Sequence, residues 1–202
     1  MPEGSRNVAA ERGNVVGIAA MAILWITPTL RFWGAVFGPL HPYGYPAEDV
    51  APSPVGFALG VAVCVVPYLL PSSYYRCWEG RRGPRVYGMM GVRAFKRLVP
   101  NGDLVNRFAR RLDPRYRVVR DQASARAWLD RTRDSERRHL VLLVAGLLTA
   151  AYAARIGWNG WAVGLTAGNV VFNLYPVALQ RYNRCRIAKL LRHRAQGFPG
   201  TR

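Results

Sequence analysis

Glu136 and His139 form the pair of side chains in this sequence that is best suited to catalysis. They are three residues apart, so on a helix they would share one face. A carboxylate beside a histidine raises the basicity of the ring and can fix its tautomer, as a general base requires. The same spacing also occurs on an ordinary charged helix surface with an interfacial histidine, and on spacing alone that second interpretation is somewhat favoured.

A helical hairpin is predicted after His139, and the lengths of its two arms indicate how deep in the membrane each arm begins and ends. Uncharged runs extend over 140–154 and 156–180, and Gly157-Trp158-Asn159-Gly160 between them is a turn signal. At about 1.5 Å per residue, each arm reaches ~27–32 Å from the turn. We therefore expect His139 and the start of the tail, Gln180–Arg184, to lie at similar depth.

The tail supplies side chains that could bind a substrate. Arginine, tyrosine and asparagine suit an anionic or polyhydroxyl group, although membrane topology alone also explains a basic tail. We expect Arg181–Arg186 to share one cytoplasm-facing cavity with Glu136 and His139, and Glu79 or Lys96 to lie at its rim. The predicted catalytic residues are His139, Glu136 and Glu79, and the predicted substrate-binding residues are Trp78, Arg93, Lys96, Arg181, Tyr182, Asn183, Arg184 and Arg186.

Membrane-spanning helices are expected to hold these residues, because apolar and charged residues are segregated along the chain. The uncharged runs cover 13–30, 50–75, 140–154 and 156–180. The first would reach ~27 Å as a helix, close to the hydrocarbon thickness of a bilayer. In the second, Pro52 and Pro54 suit a helix start, whereas Pro67 and Pro71 would kink or end the helix. The sequence predicts an all-α, multi-pass membrane protein with about four transmembrane helices.

The basic residues predict which side of the membrane each segment faces. Residues 76–139 hold eighteen Lys and Arg against seven Asp and Glu, and residues 181–202 hold seven basic residues and no acid. The two remaining connections hold one arginine each, Arg31 and Arg155. Four spans with both termini and the central segment in the cytoplasm satisfy the positive-inside rule. This pattern predicts a multi-pass protein of the cell membrane.

The central segment is predicted to form amphipathic helices at the membrane interface. Apolar residues from Met89 to Val99 recur at helical spacing beside a basic stripe, and Leu104–Leu112 repeats the pattern. The predicted organisation is two N-terminal spans in 1–75, a basic cytoplasmic helical segment in 76–139, a membrane hairpin in 140–180 and a basic cytoplasmic tail in 181–202.

Composition argues against several other classes. The net charge of +18 would indicate nucleic acid binding in a soluble protein, but here the arginines flank apolar runs and no nucleic-acid-binding motif occurs. The three cysteines, Cys64, Cys77 and Cys185, form no CxxC pair, and there is no metal-binding motif. We expect the lipid bilayer to be a partner, and we expect no nucleic acid, no metal and no cofactor.

Four motifs stand in an order found in a known family. They are Trp78-Glu79, Gly91-Val92-Arg93-Ala94-Phe95-Lys96, Glu136-x-x-His139, and Gln180-Arg181-Tyr182-Asn183-Arg184-x-Arg186 followed by Leu190-Leu191. The chain in this respect resembles the glycosyl-4,4'-diaponeurosporenoate acyltransferases, membrane enzymes of bacterial carotenoid biosynthesis. The resemblance covers about Trp78 to Arg192. Phe95 and Cys185 depart from the family pattern, in which tryptophan and proline are expected.

The resemblance implies an enzyme that esterifies a sugar hydroxyl of a glycosylated carotenoid with a fatty acyl chain, with acyl-CoA as co-substrate. His139, oriented by Glu136, would take the hydroxyl proton, and Lys96 or Arg181 would stabilise the developing oxyanion. The residues alone leave a non-enzymatic alternative open. In it, the chain is a membrane scaffold or accessory subunit whose basic surface binds anionic lipid or a partner.

Overall fold

The computed structural model describes residues 3–38, 51–76, 84–100, 102–112, 114–119 and 121–196, and these are helical with no strand among them. The helices are α1 (Glu3–Phe37), α2 (Pro54–Val65), α3 (Ser72–Arg76), α4 (Pro84–Met89), α5 (Val92–Leu98), α6 (Asp103–Leu112), α7 (Gln122–Arg155), α8 (Asn159–Asn169) and α9 (Tyr175–Gln196). A 3-10 turn, Val66–Leu69, follows α2, and a π-helical turn, Val170–Leu174, joins α8 to α9. The all-α class is confirmed for these residues.

Three helical stretches are long and apolar enough to cross a membrane, namely Asn14–Phe37, Gln122–Arg155 and Asn159–Arg192. The prediction of about four spans is therefore wrong in its count. The second predicted span is the shorter apolar helix Pro54–Leu69. Pro54 stands at its first position, where no backbone N–H is needed, and Pro67 and Pro71 limit its length because each lacks the N–H that would continue the helix.

The ends of α7 follow from local sequence. Asp121 Oδ1 accepts a hydrogen bond from Ser124 N at 2.7 Å, and Ser124 Oγ accepts one from Asp121 N at 3.0 Å, which forms a reciprocal cap. After Arg155, Gly157 takes a φ of 79°, a left-handed conformation that glycine adopts at little cost. These features set the ends of α7, and the predicted turn is confirmed between Arg155 and Asn159, where α8 begins.

The described chain forms two compact units. One consists of residues 1–19, 71–136 and 177–202 and is called the basic unit below; the other consists of residues 20–70 and 137–176 and is called the span unit. In the basic unit, Ala125, Leu129 and Ile187 form a small apolar core. The core of the span unit is rich in aromatic residues, with Phe32 and Trp158 edge to face at 5.8 Å between ring centroids.

Candidate functional site

A buried ion-pair cluster in the basic unit is built around Glu136. Its side chain is fully buried, and Arg181 Nε donates to Oε1 at 2.7 Å while Arg184 Nη2 donates to Oε2. Arg184 is also fully buried, and its Nη1 donates to the carbonyl of Thr132 at 3.3 Å. Arg181 and Arg184 are three residues apart on α9, so both guanidinium groups leave the same face. One carboxylate against two guanidinium groups gives the cluster an excess positive charge.

Two tyrosines that the sequence analysis did not select belong to this cluster. Arg181 Nη2 donates to Tyr74 Oη at 2.9 Å. Tyr87 on α4 is buried, and burial raises the pKa of its hydroxyl, while the positive charge of Arg181 acts in the opposite direction. Tyr87 therefore stays a neutral hydroxyl at physiological pH. No spacing in the sequence links either tyrosine to Glu136, so only the fold could reveal them.

A second feature of the basic unit is a pocket of about 270 Å³, called the basic pocket below. It gathers three predicted substrate-binding residues, Lys96, Asn183 and Arg186. The rest of its lining is Asn106, Arg110, Tyr116, Arg117, Val118, Val119, Trp128, Ile187 and Leu190. Asn183 and Arg186 are three residues apart on α9 and share a face. The predicted tail segment thus divides its side chains between the ion-pair cluster and the basic pocket.

His139 lies in the span unit, where its ring contacts a chain of buried amides. Its Nδ1 lies 3.3 Å from the side-chain amide of Asn173, this amide lies 2.8 Å from Oδ1 of Asn169, and Asn169 Nδ2 donates to the carbonyl of Leu143 at 2.9 Å. Both asparagines are only 1% exposed. Buried polar side chains inside a candidate span are costly, so they indicate a functional site. Asn173 also lies in the π-helical turn, a feature that is frequent at such sites.

Gly146 makes room for the amide chain. A Cβ atom at this position would lie 2.5 Å from Cγ of Asn169, so a larger residue would displace the amide. The sequence analysis did not select Asn169 and Asn173. The available signal was two asparagines four residues apart, hence on one helix face, within an otherwise uncharged and apolar run.

The span unit also holds an apolar groove of about 700 Å³ lined by residues of α1, α2 and α7, called the apolar groove below. Gly56 and Gly60 of α2 line one wall and have no side chain to fill the groove. Leu148 is part of the wall formed by α7. The lining contains one cation, Arg155, whose Cζ lies 4.7 Å from the centroid of the Tyr152 ring. This volume is within the range of ligand-binding cavities, and its lining suits an apolar chain.

The family model for glycosyl-4,4'-diaponeurosporenoate acyltransferase matches residues 71–193, which is more than half of the chain. The chain belongs to this family. The resemblance inferred from the four sequence motifs is thereby confirmed, and the family is one of acyltransferases in carotenoid biosynthesis. No match was found among curated proteins or among solved structures.

The predicted site residues of this acyltransferase family member have different surroundings. Tyr182 is buried, and Arg186 Cζ lies 5.6 Å from the centroid of its ring. Arg93 is exposed and is not part of the lining of the basic pocket. Trp78 and Glu79 lie outside the described residues.

The Glu136 carboxylate is held by arginines, and the described hydrogen-bond partner of the His139 ring is Asn173. The convergence of His139 and the tail on one cavity stays a prediction. Among the described residues, no group of three His, Cys, Asp or Glu side chains could hold a metal ion.

Proposed function

We propose that the chain is a membrane enzyme that transfers a fatty acyl group from acyl-CoA to a hydroxyl of a lipid-linked acceptor, the sugar of a glycosylated carotenoid. The product is an O-acyl ester. The observation that carries the proposal is that the family match, 71–193, contains the His139–Asn173 contact, a partly buried histidine–amide pair in a candidate span. The proposed partners are the lipid bilayer, the acyl donor and the glycosylated lipid acceptor.

His139 acts as the general base in this proposal. In the amide orientation that turns Oδ1 of Asn173 towards the ring, Nδ1 carries the proton, so the Nε2 lone pair is available to the acceptor hydroxyl. The reversed amide, whose oxygen accepts from Trp25 Nε1, would instead place the ring proton on Nε2. The hydroxyl proton moves to Nε2 while the hydroxyl oxygen attacks the thioester carbonyl carbon. The C–O bond forms, the C–S bond breaks, and the thiolate leaves and accepts a proton. General-base catalysis typically contributes ~10²–10⁴-fold to such a step.

The described contacts support a different role for Glu136 from the one predicted. Asn173, not Glu136, is proposed as the residue that orients His139. Glu136 is proposed as a positioning residue that holds the guanidinium groups of Arg181 and Arg184 in the basic unit. Because the cluster retains excess positive charge, it favours an anionic substrate group.

The apolar groove is proposed to take the acyl chain. Its glycines and aromatic rings offer apolar contact. Along α7 the lining extends from Ala145 to Arg155, or ~15 Å of helix. The cell membrane is the proposed location, with the basic central segment and tail on the cytoplasmic side. Both termini would be cytoplasmic only if Pro54–Leu69 also crossed the bilayer.

The proposal is tested by reconstituting the purified chain in phosphatidylcholine vesicles with a glycosylated carotenoid and a long-chain acyl-CoA. Mass spectrometry should detect the esterified acceptor, and a thiol assay should detect one equivalent of released CoA. Vesicles with the His139→Ala chain are the control. Ester formation that does not depend on the chain would contradict the proposal, and so would CoA release without ester.

A further inference from the structure

The basic pocket concentrates positive charge around a single concavity. Lys96, Arg110, Arg117 and Arg186 all line it. Lys96 is paired with Asp103, at 2.8 Å between Nζ and Oδ1. The three arginines have no carboxylate partner among the described residues. The lining thus carries four cationic side chains and no carboxylate, an arrangement that suits an anion.

The arginines of the pocket are held by contacts with the protein. Arg117 Nη1 donates to the carbonyls of Pro114 and Tyr116, at 3.0 Å each, and Arg110 Nε donates to the carbonyl of Asn106 at 3.1 Å. Each contact uses one nitrogen of a guanidinium group that carries five N–H donors, so the other nitrogens keep donors for a ligand. The positive-inside rule requires only positive charge on the cytoplasmic side and not these hydrogen bonds. The hydrogen bonds therefore favour a binding site.

Part of the lining of the pocket is apolar and packs against the core of the basic unit. Trp128 and Val119 line the pocket and pack against the core of Ala125, Leu129 and Ile187. An indole beside several guanidinium groups suits a ligand that joins phosphate to a planar or apolar group. The volume of about 270 Å³ is small for a whole ligand and accommodates one phosphate-bearing part of a larger one.

We propose that the basic pocket binds a phosphate group of the nucleotide end of the acyl-CoA donor. This inference rests on the proposed function and names the part of the donor that these residues recognise. Arginine matches phosphate through two parallel N–H···O bonds, and charged hydrogen bonds of this kind are roughly twice as strong as neutral ones.

The test measures binding of CoA itself, without an acyl chain, to the full chain in phosphatidylcholine nanodiscs by isothermal titration calorimetry. The probes are CoA, CoA lacking its 3'-phosphate, and pantetheine, which has no phosphate. CoA should bind, loss of the 3'-phosphate should weaken binding, and pantetheine should not bind. Arg110→Gln and Arg117→Gln should each weaken CoA binding about tenfold or more. Arg107→Gln is the matched control, because Arg107 is exposed on α6 and does not line the pocket.

Several results would overturn the inference. They are equal CoA affinity for the wild-type and Arg110→Gln chains, equal affinity for CoA and pantetheine, or loss of CoA binding in phosphatidylglycerol nanodiscs. The last would assign the pocket to a lipid headgroup. The proposed function fails separately: arginine-dependent CoA binding without ester formation contradicts the transferase. Ester formation with an unchanged KM for acyl-CoA in Arg110→Gln and Arg117→Gln contradicts only the pocket assignment.

Discussion

Arg181 Nε lies 2.7 Å from Oε1 of Glu136, whose side chain is fully buried, and Arg184 holds the other carboxylate oxygen. Because both of its oxygens are held by arginines, this buried carboxylate is better suited to positioning the arginines than to proton transfer. Its removal would leave two guanidinium groups uncompensated, one of them fully buried. The loss of one member of a buried ion pair typically costs ~3–5 kcal/mol.

We therefore expect Glu136→Gln to destabilise the protein by about 3 kcal/mol or more, because the amide carries no charge to balance the arginines. Thermal unfolding in detergent, followed by intrinsic fluorescence, measures the effect. Asp130→Asn is the matched control, because Asp130 pairs with Arg133 at 2.8 Å on the same helix but is 69% exposed. The control should change stability by less than ~1 kcal/mol. Equal unfolding midpoints for both variants would remove the structural role assigned to Glu136.

The sequence predicted individual helices better than it predicted contacts between them. Helical spacing and turn residues identified α5, α6 and the turn between Arg155 and Asn159, because those signals are local. The count of spans was wrong because the second uncharged run is longer than the helix within it, which Pro67 and Pro71 shorten. The lengths of the hairpin arms predicted a cavity shared by Glu136 and Arg181. The ion pair between them did not follow from the sequence, because the two residues are 45 apart and no periodicity relates two helices. The same holds for Asn173 and His139, which are 34 residues apart.

The tautomer of His139 gives a second prediction. His139→Ala should lower ester formation by about 10²-fold or more, and His139→Gln should fail as well, because an amide cannot take the proton. Asn173→Asp should retain more activity than Asn173→Leu, since a carboxylate accepts from Nδ1–H and keeps the Nε2 lone pair available. The measurement is initial ester formation at matched protein levels in vesicles.

If the side-chain oxygen and nitrogen of Asn173 exchange positions, the opposite tautomer of His139 is expected. In that orientation its nitrogen donates to Nδ1 of His139 and its oxygen accepts from Trp25 Nε1 at 2.9 Å. Nε2 would then carry the ring proton and could not act as the base. An inactive Asn173→Asp chain at normal expression would support that arrangement. Near-normal ester formation by His139→Ala would rule out His139 as the general base.

The apolar groove gives a third prediction, on acyl-chain length. Gly60→Leu should disfavour long acyl chains relative to short ones, because the new side chain occupies part of the groove. Each methylene that loses its contact should cost about fourfold in relative kcat/KM, equivalent to ~0.8 kcal/mol. Gly168→Leu is the matched control: both glycines are half-buried in helices and have no atom within 4 Å of an added Cβ, but Gly168 does not line the groove. Identical chain-length profiles for the two variants would exclude the groove as the acyl site.

The cap of α7 gives a pH-dependent prediction. The hydrogen bonds from the Ser124 backbone and side chain lower the pKa of Asp121 below its ordinary value of 3.8. Because the folded-state pKa is lowered, the stabilisation is present above the unfolded value and is lost as pH falls through the folded value. We expect the unfolding midpoint of wild type to fall relative to Asp121→Asn as pH is lowered below the ordinary value of 3.8, since asparagine caps without titrating. A constant difference across that range would contradict the role of the carboxylate.

The three candidate spans predict a sidedness that reporter fusions can measure. The positive-inside rule keeps the basic segments 76–139 and 181–202 in the cytoplasm, so three crossings place the connection after α1 inside and Gly157 outside. A fusion after His41 should therefore report as internal, one after Gly157 as external, and those after Gly102 and Gly200 as internal. The physical reason is length: the twelve α-helical residues of α2 rise ~18 Å and its four-residue 3-10 extension ~8 Å, short of a hydrocarbon core of ~30 Å. The fusion after His41 is decisive, because a fourth crossing by Pro54–Leu69 would change its report to external and leave the other three unchanged.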